Sequence, residues 1–106
     1  MDMVKDILRE ELKTAKEKLD FYQAGLRELP RGSLRIKVIK GREYFYLKYR
    51  DGLKTKTDYI GKLPDNADAI ENLKLNIEKR KRFEKNIKTV SEEIKYLERA
   101  LNVRTK

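Results

Sequence analysis

Two long segments of this sequence repeat apolar residues at steps of three and four, the spacing that forms one stripe along an α-helix. In the first segment the stripe consists of Val4, Leu8, Leu12, Ala15, Leu19, Tyr22 and Leu26. Acidic residues crowd its first turns, where the helix dipole favours negative charge. Gly25 and Pro30 mark its end. This pattern predicts a helix over residues 1–28.

The second segment lies near the C-terminus, and its stripe is interrupted. Its apolar positions are Ile70, Leu73, Ile77, Ile87, Val90, Ile94, Leu97 and Leu101. Arg80 and Glu84 occupy the two middle positions, within the stretch KRKRFEK. Asp68 and Glu71 have the spacing of a capping box, and a helix over residues 66–102 is predicted. Two such stripes indicate helices that pair as a coiled-coil hairpin. The longer helix has apolar surface to spare, which would allow a homodimer through the helices.

The segment between the helices alternates apolar and polar residues, which is the period of β-strands. LRIKVIK and EYFYLKYR show this alternation most clearly, and GR and DG supply residues for two tight turns. A three-stranded antiparallel meander over residues 33–62 is therefore predicted. The expected fold class is α+β, with one domain spanning residues 1–106, a length that suits one modest core.

Matching apolar residues across the strands gives a register for the meander. A first turn at Gly41–Arg42 and a three-residue second loop at Asp51–Gly52–Leu53 keep the apolar residues on one face. A two-residue second loop would set Lys56 opposite Leu47 on that face, so the longer loop is preferred. The residues predicted on this inner face are Leu34, Ile36, Val38, Phe45, Leu47, Tyr49, Thr55, Thr57 and Tyr59.

The opposite, outer face of the predicted sheet combines cations with tyrosine rings. Residues 31–64 hold 10 Lys and Arg against 3 Asp and Glu, in a chain whose net charge is +9. A local basic excess points to an anionic partner, and exposed rings can stack on nucleic-acid bases. The alternative explanation is a solvated face whose lysines protect sheet edges. The predicted binding residues are Arg35, Lys37, Tyr44, Tyr46, Lys48, Arg50, Lys54 and Lys56.

The predicted register also brings like charges together on the outer face. It sets Lys48 opposite both Arg35 and Lys56, and Arg50 opposite Lys54. Like charges directly across strands are destabilising.

The composition argues against several other kinds of site. The chain has no cysteine and no histidine, so it has no disulfide framework and lacks the commonest bases and nucleophiles. A zinc site would need carboxylates alone. We therefore expect no enzyme, no cofactor and no metal. No apolar run approaches the roughly 20 residues that span a bilayer, so we expect no membrane partner and a cytoplasmic location.

The stretch LPRGSLRIKVIKGREYFYLKYRDGLKTKTDYIGKLPD resembles two groups of proteins. The first group comprises small, uncharacterised domains of prokaryotes and mobile elements, in which RGS, YYYL.YR.G and YIGK recur between helices. The matching positions here are 31–33, 44–47, 49–50, 52 and 59–62. The second is the arm-type DNA-binding domain of tyrosine integrases, which places a three-stranded sheet on DNA. YLKYRDGLKTKTDYIGKLPD is similar to its pattern, although here a long helix precedes the sheet. The resemblance implies a DNA-binding sheet.

These features together predict a non-catalytic nucleic-acid-binding module that uses the outer face, with DNA or RNA as its partner. The alternative is a protein-interaction module of a phage or mobile element that inhibits a nucleic-acid-guided nuclease, as anti-CRISPR proteins do. Such a module would set the same face against an acidic or nucleic-acid-bound protein. The sequence alone leaves both functions open.

Overall fold

The computed structural model describes residues 2–101, which form two helices and one three-stranded sheet. Helix α1 spans Met3–Arg27, strands β1, β2 and β3 span Ser33–Ile39, Arg42–Asp51 and Lys54–Lys62, and helix α2 spans Ala67–Ala100. The sheet is antiparallel in the order β1-β2-β3. The predicted α+β fold class is confirmed. Residue 102, the predicted last residue of the second helix, lies outside the described residues.

The chain forms two compact units, and the division between them falls inside α2. The helix-pair unit contains α1 and the part of α2 that begins at Arg82. The sheet unit, Leu29–Lys81, contains the sheet and the first part of α2. The division lies within KRKRFEK, the stretch where the apolar stripe is interrupted. The two halves of the second stripe therefore serve different cores.

In the helix-pair unit, α1 and α2 pack through the predicted stripes. The buried core consists of Leu12, Ala15, Val90, Ile94 and Leu97, with Leu8, Leu19, Tyr22 and Leu101 packed against it. The rings of Tyr22 and Phe83 meet edge to face with their centroids 5.3 Å apart. The prediction that the helices pair is confirmed. Val4, predicted on the stripe, is instead exposed, because it lies in the first turn of α1, before the packed residues begin.

In the sheet unit, the core lies between β2 and the first part of α2. Phe45 is 1% exposed and Ile70 is 2% exposed. The ammonium of Lys74 lies 5.4 Å from the centroid of the Phe45 ring, which is cation–π geometry. The predicted inner face therefore contributes to the core, but only part of this face is buried. Ile36 and Val38, predicted inside, are exposed.

The first hairpin turn lies one residue earlier than predicted. Lys40 and Gly41, with φ values of 52° and 78°, form a two-residue loop, and Ile39 pairs with Arg42. Two successive positive φ values are typical of a type I′ turn, whose twist matches that of the flanking strands. The predicted turn at Gly41–Arg42 is wrong. The register moves by two residues, however, so every β1 side chain keeps its predicted face.

The second hairpin has a two-residue loop, Gly52–Leu53, and the predicted three-residue loop is wrong. Asp51 pairs with Lys54, and Tyr49 pairs with Lys56. Relative to the prediction the register moves by one residue, which exchanges the two faces along the first part of β3. The residues moved to the inner face are Lys54, Lys56 and Asp58, and those moved to the outer face are Thr55, Thr57 and Tyr59.

The apolar matching failed at this hairpin because no core covers this part of the sheet. Lys54, Lys56 and Asp58 are all exposed. The ammonium of Lys56 lies 2.6 Å from the Asp51 carboxylate. The Tyr49 hydroxyl donates a hydrogen bond to the Asp58 carboxylate, and this bond is the main cause of a raised Tyr49 pKa. Polar partners on the inner face, rather than burial, accompany the observed register.

A β-bulge at Ile60 changes the alternation again near the end of β3. Tyr46 pairs with Tyr59, whereas Phe45 pairs with Gly61, so Ile60 is the extra residue. Gly61 is buried. The bulge thus allows Tyr59 to lie on the outer face while Gly61, two positions later, lies on the inner face.

Candidate nucleic-acid interface

The outer face of the sheet, which is the face opposite Phe45, brings together six of the eight predicted binding residues. They are Arg35, Lys37, Tyr44, Tyr46, Lys48 and Arg50. Lys54 and Lys56 lie on the inner face instead, so their predicted placement is wrong. The cause is the shorter second loop, which shifts β3 by one residue.

The observed register separates the cations that the sequence had placed opposite one another. Arg35 lies opposite Tyr46. Lys48 lies opposite Ser33 on one side and Thr57 on the other. The predicted like-charge pairs across the strands do not form, so the repulsion expected from them is weakened. The outer face can therefore display its cations at a smaller cost in stability than the predicted register implies.

One end of the outer face forms an open basic cavity of about 370 Å³. Its lining includes four cations and three residues that carry hydroxyl groups: Arg31, Arg35, Lys48 and Arg50, with Ser33, Tyr49 and Thr55. Within residues 2–101, no carboxylate lines the cavity and none of the four cations forms an ion pair. Cations without paired carboxylates attract anions, and hydroxyl groups can donate hydrogen bonds to phosphate oxygens. The basic cavity is thus suited to phosphate.

Gly32 places the backbone of the RGS stretch directly against β2. Its φ is 108°, and a Cβ at this position would clash with the carbonyl oxygen of Lys48. Only glycine accommodates both this φ and this close approach. The contact positions Arg31 at the rim of the basic cavity. The sequence prediction missed Arg31 because it precedes β1, although the RGS motif was a signal for it.

The aromatic pair, Tyr46 and Tyr59, lies on the outer face beyond the basic cavity. The two ring centroids are 5.4 Å apart, and the ring planes are tilted by 59°. The ammonium of Lys37 lies 5.3 Å from the centroid of the Tyr46 ring, a cation–π contact. Tyr59 is 53% exposed. The sequence prediction put Tyr59 inside, and the two-residue loop places it on the outer face instead.

Within residues 2–101, no group of three or more acidic side chains could hold a metal ion. Neither α1 nor α2 combines the length and the apolar character that a membrane-crossing helix needs. The arrangement of groups on the outer face can bind phosphates and planar rings.

Residues 2–67 match the family described as Domain of unknown function (DUF6788). Because the match covers more than half of the 106 residues, the chain belongs to this family. The matched segment includes α1 and all three strands, and therefore the whole outer face. The family description names no activity, and the resemblance to tyrosine integrases stays a prediction. No curated protein and no solved structure matches the chain.

Proposed function

We propose that this member of the DUF6788 family is a non-catalytic nucleic-acid-binding module whose outer face contacts DNA or RNA. The observation that carries the proposal is the basic cavity, in which four cations without paired carboxylates lie beside the aromatic pair. A nucleic-acid strand supplies both complementary groups, phosphates for the cations and planar bases for the rings. The resemblance to the arm-type domain of tyrosine integrases, where a sheet lies on DNA, points the same way.

The salt dependence of binding tests this proposal. Affinity for labelled DNA or RNA would be measured by fluorescence anisotropy across a series of salt concentrations. Each phosphate contact contributes about −0.9 to the log–log slope for a duplex and about −0.7 for a single strand. Replacing Lys48 and Arg50 by glutamine removes two outer-face contacts. We expect this double variant to bind more weakly and to flatten the slope by about 1.4–1.8.

The sheet itself offers a matched control for this test. The double variant Lys54→Gln/Lys56→Gln removes the same charge from the same sheet, but from the inner face. We expect it to leave both the affinity and the slope close to those of the unmodified protein. If the two double variants flatten the slope equally, net charge rather than the outer face governs binding, and the proposal is refuted.

An acidic protein is the second candidate partner, because tyrosine and arginine are also the residues that anchor protein interfaces. Such a partner, including an inhibited nuclease, would be retained from a lysate after all nucleic acid has been digested. Its retention would also depend on Lys48 and Arg50. If that result accompanies affinity for DNA and RNA weaker than about millimolar at low salt, the outer face is a protein-docking surface.

A further inference from the structure

We infer that the outer face binds a single strand, with an unpaired base stacked on Tyr59 and a neighbouring phosphate in the basic cavity. This inference rests on the proposed function and narrows it from nucleic acid in general to an unpaired strand. Four structural observations support it: the exposure of one ring, the environment of the other, the spacing of ring and cations, and the separation of these groups from the core.

Tyr59 is the ring of the aromatic pair that can receive a base. Half of its surface is exposed, at 53%, although it is anchored by its cross-strand neighbour Tyr46. The Tyr46 ring is less accessible, because Lys37 and Tyr59 both lie close to it. Tyr46 therefore supports the Tyr59 ring, and the Tyr59 ring is the one exposed to solvent.

The positions of the cations fit a nucleic-acid strand that crosses the aromatic pair. Tyr46 and Lys48 are two residues apart on one strand and face the same way, which separates them by about 7 Å along β2. Lys37 lies on the neighbouring strand β1, and its ammonium is 5.3 Å from the centroid of the Tyr46 ring. A base stacked on Tyr59 thus has a cation within the reach of a single nucleotide, and the basic cavity receives the phosphate that follows.

The aromatic pair does not serve the core of the sheet unit. The core lies on the opposite face, where Phe45 is 1% exposed and contacts Lys74. The two-residue loop sets the register that brings Tyr46 and Tyr59 together on the outer face. A role in stacking on a ligand explains this exposed pair, whereas packing of the core does not.

A duplex makes poor use of this arrangement. Its base faces are stacked on one another, so a protein reaches only base edges in the grooves and phosphates outside. An unpaired base offers its whole face to an aromatic ring, and each stacked base contributes appreciably and without strong sequence preference. The structure therefore favours an unpaired strand over a duplex of the same charge density.

The decisive experiment compares three probes by fluorescence anisotropy at one salt concentration. The probes are a short labelled oligothymidine, a strand of equal length in which the central nucleotides lack their bases, and a duplex of equal length. We expect oligothymidine to bind most tightly. Tyr59→Ala should weaken its binding by about 5- to 150-fold and should leave binding of the abasic strand unchanged.

Two further variants identify the cause of that loss. Tyr59→Phe keeps the ring and loses only the hydroxyl, so it should retain the affinity for oligothymidine. Tyr96→Ala removes an exposed tyrosine of α2, which is 69% exposed, and should have no effect. Circular dichroism of each variant checks that the sheet and helices remain folded.

The outcomes separate this inference from the proposed function. If the duplex binds as tightly as oligothymidine and Tyr59→Ala weakens neither, the stacking inference is overturned while nucleic-acid binding stands. If Tyr59→Ala weakens the abasic strand as much as oligothymidine, the ring contacts the backbone and stacking is again overturned. Absence of binding to all three probes at low salt would overturn both.

Discussion

The helix-pair unit and the sheet unit distribute their apolar residues in opposite ways. In the helix-pair unit, five buried residues form one cluster with four more packed against it. In the sheet unit, Phe45, Ile70 and Ile77 are buried, whereas Ile36 and Val38 remain exposed. The unit that carries the candidate site therefore has the smaller core. Its outer face is free for contact because burial of a few side chains on the other face supports the sheet.

The largest effect should come from the side chain on which the sheet core depends most. Phe45→Ala removes a ring that is 1% exposed, and such truncations cost about 3–5 kcal/mol. We expect a loss of that size in the free energy of unfolding, measured by chemical denaturation. Hydrogen exchange should show the sheet amides opening more than those of α1. A loss of only about 0.5 kcal/mol, typical of surface changes, would show that the sheet is held by other contacts.

In the helix-pair unit the cost of truncation should be shared among many residues. Leu12→Ala and Ile94→Ala should each lower the free energy of unfolding by about 2–5 kcal/mol. Because both residues belong to one cluster, the double variant should depart from additivity. Leu53→Ala is the control, since Leu53 is 95% exposed and should change stability by less than about 0.5 kcal/mol. Unchanged melting of both core variants would refute helix pairing.

A smaller, stabilising effect is expected at Glu98 in α2. This residue is 5% exposed, and its Oε2 has no hydrogen-bond partner among the residues that the structure describes. A buried unsatisfied polar group costs about 1–3 kcal/mol. Glu98→Met, which fills a similar volume, should therefore raise the free energy of unfolding by about that amount. The same change at exposed Glu92 should have little effect. Destabilisation by Glu98→Met would mean that the carboxylate is satisfied in solution.

The smallest effect concerns a hydrogen bond on the inner face. The Asp58 carboxylate, which accepts from Tyr49, is the main cause of the raised Tyr49 pKa, and Asp58→Ala should return that pKa towards its ordinary value of 10.0. The signal is tyrosinate absorbance during an alkaline titration, assigned by difference from Tyr49→Phe. Because the folded pKa is raised, this bond favours folding below about pH 10 and loses its effect at higher pH. An unchanged titration in Asp58→Ala would contradict the bond.

The sequence predicted the structure well wherever a core selects the side chains. The helix stripes placed Leu12 and Ile94 together, and alternation placed Phe45 inside, because burial penalises any other arrangement of these residues. It failed at the second hairpin, where Lys54 and Lys56 are exposed on the inner face and no burial penalty opposes them. The observed register there comes with a two-residue loop, an ion pair and a bulge. Matching apolar residues across the strands predicts none of these.

The candidate site was predicted in part for the same reason. Six outer-face residues follow directly from strand alternation and needed no knowledge of the loops. The placement of Tyr59 depended on the length of the second loop, which was predicted wrongly, and so Tyr59 was missed. Arg31 depended on the approach of Gly32 to β2, a contact between segments distant in sequence that no local pattern encodes.

The bulge at Ile60 divides β3 into two parts in which the alternation of side chains between the faces is set independently. After the bulge, the alternation is fixed by contact with the start of α2, where the Lys62 backbone N–H donates to the Asn66 side chain. Before the bulge, the alternation is set by the length of the Gly52–Leu53 turn. Inserting one residue in that turn would exchange the exposed threonines of the outer face for lysines, with no substitution anywhere. A change in loop length alone would therefore move positive charge from one face of this sheet to the other.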